Sequence, residues 1–283
     1  MKNKKDSFGD RMKMYESQTT QTKLIPLLPV IARLDGKCFS KFTKDLKRPY
    51  DERLSKLMIE TTKYMVAETN ANCAYTQSDE ITLCWYNPDP KSNGNYNGKI
   101  FKIITDLSAM CSVFFNEKLA EYLPEKVGKR PRFDCRVWNV PNEIEAVNVF
   151  IWREQDATKN SISMAAQSFY SHKQLHKKNG SEKQEMLFQK GVNWNDYPTF
   201  FKKGTYIQKK VRTGKMTIDE IDKLPLKHNA RKKPELEIKR TFIEELDLPP
   251  LSKVYNKIDV ILYGKDMTYS KLEKKSVISD IIY

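Results

Sequence analysis

The sequence has little from which to build a zinc finger, a disulfide frame or a membrane span. Its 283 residues include five cysteines and three histidines, at positions 172, 176 and 228. Cys38, Cys73, Cys84, Cys111 and Cys135 are odd in number, form no CxxC pair and fall mostly inside apolar segments. That pattern argues against a structural zinc site and against a disulfide framework, so the cysteines read as reduced core residues. No apolar run reaches the roughly eighteen residues that a bilayer span requires. The first sixteen residues lack the apolar core of a signal peptide, and Asp6, Asp10 and Glu16 are out of place in a transit peptide. The expectation is a cytoplasmic protein without a membrane association.

Acidic residues are also in deficit. Lys and Arg number 50 against 36 Asp and Glu, a net charge of +14. The excess falls mostly after residue 124, in the runs Lys126–Arg132, Lys173–Lys183, Lys202–Lys215 and Lys227–Arg240. Such a field favours a phosphate backbone, with affinity that falls steeply as salt rises. A merely solubilising surface is the plain alternative. With 39% hydrophobic and 30% charged residues, the chain has enough apolar material for one large domain or two ordinary ones.

Strand-like runs occupy 25–34, 71–77, 80–86 and 132–139, and helical spacing appears over Asp51–Thr69 and Lys102–Leu123. In the first helix Leu54, Leu57, Met58, Thr61, Tyr64 and Met65 share a face. Pro88–Gly98, rich in Pro, Gly and Asn, reads as a surface loop. The order β-α-β-β-α-β is the split βαβ arrangement of ferredoxin-like domains, an α+β class. After Pro141 the pattern turns helical, with Asn142 as a cap before Glu143 and Glu145 and a further short helix beginning at Thr217. Val254–Tyr263 reads as a strand. The expected organisation is a palm-like catalytic domain over 1–140 and a basic, helical RNA-binding region over 141–283.

Two polar corners stand beside β-rich runs: Arg33-Leu34-Asp35-Gly36-Lys37-Cys38-Phe39 and Thr76-Gln77-Ser78-Asp79-Glu80. In a split βαβ sheet the end of the first strand lies beside the turn of the central hairpin, so Asp35 and Asp79 converge although they are distant in sequence. Carboxylates suit Mg²⁺, a hard cation that takes one or two of them together with substrate phosphates. Two such ions can activate a hydroxyl and neutralise a leaving pyrophosphate, the chemistry of a polymerase palm. Gly36 admits close backbone approach to a metal or phosphate, and a carbonyl beside it can ligate. Each Asp taken alone reads more readily as a turn-capping residue, and only the two together, in this order of elements, bring the catalytic reading level with it. Ser78 can donate to a phosphate oxygen, and Lys37, Lys41 and Arg48 offer cations for a triphosphate. Glu80 is expected to face away from Asp79. Arg136 alternates outward on its strand toward the substrate. Arg153, Asp156 and Asn160 share one helix face, which reads as a solvated stripe or, flanked by Trp152 and Ile162, as a buried or ligand-facing network.

Six segments, in order, resemble the tRNA-histidine guanylyltransferase superfamily, which includes the Thg1-like reverse polymerases. They are Gly9–Glu16, Arg33–Gly36, Arg48–Asp51, Thr76–Glu80, Phe133–Val137 and Trp152–Ala157, within a match running from about 8 to 210. The resemblance implies a polymerase-like palm that adds nucleotides to the 5′ end of RNA, with two Mg²⁺ ions and with ATP or GTP as activating and incoming nucleotides. On that pattern Asp35 and Asp79 are the catalytic metal carboxylates and Gly36 supplies its carbonyl. Lys37, Cys38, Phe39, Arg48, Asp51, Ser78 and Asn160 would line the nucleotide and its triphosphate. Arg33, Arg136, Arg153, Lys209 and Lys210 would meet RNA. The implied partners are a tRNA or tRNA-like RNA with a truncated 5′ end and nucleoside triphosphates, and the implied assembly is a homotetramer.

Two departures matter. Guanylyltransferases proper carry His-Ile-Asn-Asn-Leu-Tyr-Asn where this chain reads Thr158-Lys159-Asn160-Ser161-Ile162-Ser163-Met164. That favours the branch which repairs truncated tRNA 5′ ends against a template over the one which adds a single G to tRNA-histidine. Arg48 stands where the family has Lys, which keeps charge but changes geometry. Guanylyltransferase proper remains the alternative of the same chemistry. A palm-type nucleotide cyclase, or a non-catalytic RNA-binding protein, would fit the same bulk properties.

Overall fold

The computed structural model describes residues 7–91, 95–232 and 237–268. An exposed helix α1 (Ser7–Thr20) precedes β1 (Val30–Gly36), the single-turn α2 (Phe39–Phe42), α3 (Glu52–Thr69), β2 (Cys73–Gln77), β3 (Glu80–Trp85), α4 (Ile100–Tyr122) and β4 (Phe133–Asn139). There follow α5 (Glu143–Gln167), α6 (His172–Leu175), α7 (Gly180–Phe188), α8 (Thr199–Lys203) and β5 (Thr205–Lys215). The described chain closes with α9 (Ile218–Asp222), α10 (Asn229–Lys232), β6 (Glu237–Leu246) and α11 (Lys257–Tyr263). One antiparallel sheet runs β4-β1-β3-β2-β5-β6, so its first four strands have the split βαβ order expected from the sequence.

Local signals set the helix ends. Asp51 caps α3 by accepting from the Arg53 N–H at 3.1 Å, and Asn142 caps α5 by accepting from Glu145 N–H at 2.9 Å. Thr217 caps α9 as its sequence implied. Along β1 the side chains alternate. Ala32 and Leu34 join Ile81, Leu83, Leu57, Met58, Phe115 and Leu119 under α3 and α4. Ile31 joins Cys84, Tyr75, Phe150 and Val147 under α5 and α11. Each fully buried Leu or Phe contributes about 1.5–3 kcal/mol, an upper bound against an extended chain. A third apolar cluster gathers Ala165, Leu187 and Phe201 beneath the end of α5.

The structure departs from the sequence reading in the second half. The helical expectation for residues past 141 holds from α5 through α8, but Thr205–Lys215 and Glu237–Leu246 are strands that extend the palm sheet through β2. Their period was hidden because only the start of β5 is buried and the remainder carries charge on both faces. Val254–Tyr263 is a tight turn followed by α11, not a strand, and α11 ends on Gly264 in the left-handed region at φ 68°. The first strand begins at Val30 rather than 25, because Pro26 and Pro29 lack the N–H a ladder needs. Of the expected loop Pro88–Gly98, residues 92–94 lie outside the described residues, as do 233–236 of the basic run Lys227–Arg240.

Candidate active site

The end of β1 meets the β2–β3 turn as the topology requires. The Gly36 N–H donates to the Asp79 carbonyl at 3.1 Å, which fixes the two motifs edge to edge. Ser78 turns the hairpin in the left-handed region at φ 52°, and its hydroxyl donates to the Asp79 carboxylate at 3.0 Å. Asp79 is partly buried with the Asp35 carboxylate nearby. Burial raises its pKa, the Ser78 hydrogen bond partly opposes the rise, and the negative charge of Asp35 adds to it. Two acidic side chains brought together at a desolvated corner, with no cationic side chain bridging them among the described residues, form a donor set that fits a divalent cation.

The reason for Gly36 differs from the expected one. A Cβ at that position would lie 2.3 Å from Cδ2 of Phe39. The glycine is therefore required by the ring packed against it. Phe39 itself is buried among Phe42, Phe115 and Phe133, at ring centroid distances of 5.1, 5.7 and 5.1 Å. Its side chain is scaffold and does not line a nucleotide. Lys37 and Cys38 are exposed at the strand end. The Lys37 N–H is tied to the Arg132 carbonyl at 2.8 Å, and Cys38 is left-handed at φ 58°.

Other predicted residues sort by burial and partner. Arg48 and Lys41 are exposed on the segment leading to α3. Asp51 is taken up by its cap and by the Arg53 guanidinium, at 3.0 and 2.8 Å, which lowers its pKa and removes it from any nucleotide set. Asn160 is exposed and donates to Asp156 at 3.2 Å. Arg153 is only 7% exposed and does not present itself to RNA. Its Nε and Nη2 each donate to Glu80 at 2.7 Å, and Nη2 donates also to Asp156 at 3.0 Å. Burial works against its charge, but the two carboxylates more than offset that and hold its pKa up.

Lys209 and Lys210 lie away from the carboxylates. They follow Gln208, which pairs with Cys73 at the start of β2, whereas the Ser78 turn follows the other end of that strand. Lys210 is engaged with Asp266 at 2.6 Å. Arg33 and Arg136 do share the active corner, opposite each other across β1 and β4, with Asp35 and Asp134 opposite each other two residues further along.

Sequence reasoning missed the clamp formed by Glu80 and Arg153. Glu80 pairs with Asp35 in register, and its carboxylate, buried against α5, ties the start of β3 to the helix. The signal was available: an acid at the first position of an otherwise apolar strand requires a buried partner. Glu154 was missed as well. Its carboxylate accepts from Tyr206 at 2.8 Å and from the Leu251 N–H at 3.0 Å, which links α5 to β5 and to the C-terminal turn.

A family model described as tRNAHis guanylyltransferase (Thg1) matches residues 9–141. The uncharacterized protein R259 of Acanthamoeba polyphaga mimivirus is 30% identical over 230 residues, covering 73% of this chain and 78% of that protein. The tRNA(His) guanylyltransferase of Candida glabrata is 30% identical over 232 residues, covering 75% and 95%. Among solved structures, a bacterial tRNA(His) guanylyltransferase (Thg1)-like protein in complex with ATP superposes with a TM-score of 0.68 at 39% identity, covering 72% of this chain and 87% of that one. Likeness of this extent places the chain in the Thg1 family of tRNA(His) guanylyltransferases, which are nucleotidyltransferases.

Proposed function

We propose that this chain is a Mg²⁺-dependent nucleotidyltransferase that extends truncated tRNA 5′ ends against a template. Asp35 and Asp79 would hold the metal, with the Gly36 carbonyl beside them. When bound, two Mg²⁺ ions would neutralise the charge that develops on the transferred phosphate and the leaving pyrophosphate. The residues of the chain do the positioning. The Gly36–Asp79 backbone bond sets the spacing of the two motifs, and Glu80 locked to Arg153 keeps β3 from sliding against α5. Ser78 beside Asp79, Lys37 just past Asp35, and Arg48 would supply the contacts to a triphosphate of ATP or GTP.

The observation that carries the templated reading is the state of α5. Thr158 bonds back to the Glu154 carbonyl. Ser161 donates to the Thr158 carbonyl at 2.9 Å and accepts from Trp194 Nε1 at 3.2 Å, and Met164 packs beside Ala165. Of the four positions where guanylyltransferases carry His or Asn, Thr158, Ser161 and Met164 are taken up within the fold here and only Asn160 keeps an exposed amide. That leaves fewer donors to hold a nucleotide without a pairing partner, and selection falls to pairing with the opposite strand.

We place the enzyme in the cytoplasm as a homotetramer. None of the described helices is long and apolar enough to cross a membrane, and buried Cys73, Cys84 and Cys111 have thiol pKa values pushed up by burial, in keeping with reduced core residues. Helix α1 has no buried residue and leaves Phe8, Met12 and Tyr15 on one exposed face, which a second copy would cover. The test uses purified protein, Mg²⁺ and all four nucleotides with 5′-monophosphorylated tRNAs lacking their first nucleotide. The added base should follow its partner at the acceptor end. Equal G addition whatever the opposing base would restore the guanylyltransferase reading, and turnover of free nucleotide without RNA extension would favour a cyclase.

A further inference from the structure

Trp152 is a large apolar ring left 51% exposed beside the active corner, on the helix that covers this face of the sheet. Two guanidinium groups approach it, Arg153 at 4.6 Å and Arg33 at 5.3 Å from the ring centroid. They differ in freedom. Arg153 is fixed by Glu80 and Asp156, whereas Arg33 has no ion pair among the described residues and is only half-buried. Arg33 sits two residues before Asp35 on β1, on the same face and about 7 Å away. Its register partner Arg136 is exposed.

We infer that Trp152, with Arg33 and Arg136, forms a stacking platform for one nucleotide of the RNA strand at its reacting 5′ end. An exposed indole gives a base a face to stack on, and a guanidinium held by no carboxylate among the described residues can yield that face and turn to the nucleotide's phosphate. Position decides which nucleotide. Lys37 and Ser78 lie at or past the end of β1, beyond the carboxylates, where an incoming triphosphate belongs. Trp152 and Arg33 lie behind the carboxylates, along the strand. A phosphate held at Asp35 and Asp79 would therefore have the triphosphate on one side and the RNA terminus over Trp152 on the other. This assignment rests on the 5′-end reading above.

The experiment compares wild type with Trp152→Phe and Trp152→Leu. Binding of a short 5′-monophosphorylated single-stranded RNA is followed by tryptophan fluorescence without Mg²⁺ or nucleotide, and 5′ extension of a truncated tRNA is followed separately. The Leu variant should bind RNA about tenfold more weakly, while Phe stays within about threefold, because the stacking face and not its volume is used. The Trp152 share of the RNA-induced fluorescence change should vanish in both variants. The KM for nucleotide should move less than twofold in either. Equal RNA affinity for all three proteins would overturn the inference while leaving 5′ extension intact. An effect on nucleotide KM alone would reassign the ring to the incoming nucleotide. RNA loss that only tracks a lower melting temperature, alike in Leu and Phe, would reduce Trp152 to a cover for the Arg153–Glu80 pair. A wild-type protein that neither binds nor extends RNA would defeat the functional reading itself.

Discussion

The two faces of the palm sheet are built from the same strands on opposite principles. Under α3 and α4 the side chains of β1, β2 and β3 are apolar apart from the buried Thr76, and the aromatic group of Phe39, Phe42, Phe115 and Phe133 closes the corner. Under α5 the apolar cluster covers only the far end, and the near end holds Arg33, Asp35, Glu80, Arg136 and Arg153. One face is a scaffold that fixes the strands in register. The other uses that rigidity to hold charges where water and substrate can reach them, at a cost in desolvation that the Glu80–Arg153 pair partly offsets.

The comparison breaks most sharply at the carboxylates. Asp35→Ala and Asp79→Ala should each lower kcat by more than tenfold, over about 1.4 kcal/mol of barrier, with RNA affinity nearly unchanged. Single-turnover extension and a binding isotherm measure the two separately. A variant that retained more than a tenth of wild-type kcat would end the metal assignment.

Stability should sort the faces next. Phe115→Ala on the scaffold face should cost about 3–5 kcal/mol through its cavity, and Arg153→Ala about the same because Glu80 is left buried and unpaired. The difference lies in rescue. Replacing Glu80 and Arg153 together by Leu and Met should recover most of the lost stability in urea titrations, but not the activity, since the ionic pair positions β3 beside Asp79.

A smaller effect has a definite sign. The folded pKa of Asp79 is raised, so its contribution to stability is present below the unfolded pKa and is lost as pH rises through the folded value. At neutral pH the ionised side chain opposes folding in the absence of a cation. Asp79→Asn should therefore raise the melting temperature of metal-free protein at pH 7, by an amount that shrinks toward about pH 4. Mg²⁺ should stabilise wild type and leave the variant unmoved. If chelation does not alter the wild-type melting curve, the corner does not bind the ion.

The smallest effect belongs to the β5–β6 ribbon. Charge reversal at Lys209 and Lys210 should weaken RNA binding and reduce its salt slope, by at most about one per lysine. Lys210 should give the lesser part because Asp266 already neutralises it. An unchanged slope would make this end of the sheet a solvated surface.

Much of the palm was legible because its signals are local. Caps at Asp51 and Asn142, alternation along β1 and the Ser78-Asp79 turn each declare themselves within a few residues. The carboxylate pair followed from topology once the element order was read. Arg153 was misjudged for a physical reason: a helix-face pattern gives direction but not whether that direction ends in solvent or against a buried glutamate. Asp51 and Phe39 were overread because proximity in sequence to a motif is not proximity to its chemistry. The ribbon was missed because lysine-rich strands exposed on both faces have no hydrophobic period.

By itself the sequence determined the order of the first four strands and of the helices α3 and α4 between them, the acids at the β1 end and the central turn, and the α5 residues that depart from the guanylyltransferase pattern. These depend on backbone preference, capping and alternation, which act over a turn or a strand pair. Only the tertiary structure decided that Glu80 and Arg153 neutralise each other, that Gly36 makes room for a phenyl ring, and that β5 and β6 complete the palm sheet. Those outcomes depend on which side chains from distant segments exclude water together, and burial of that kind is a property of the assembled layers.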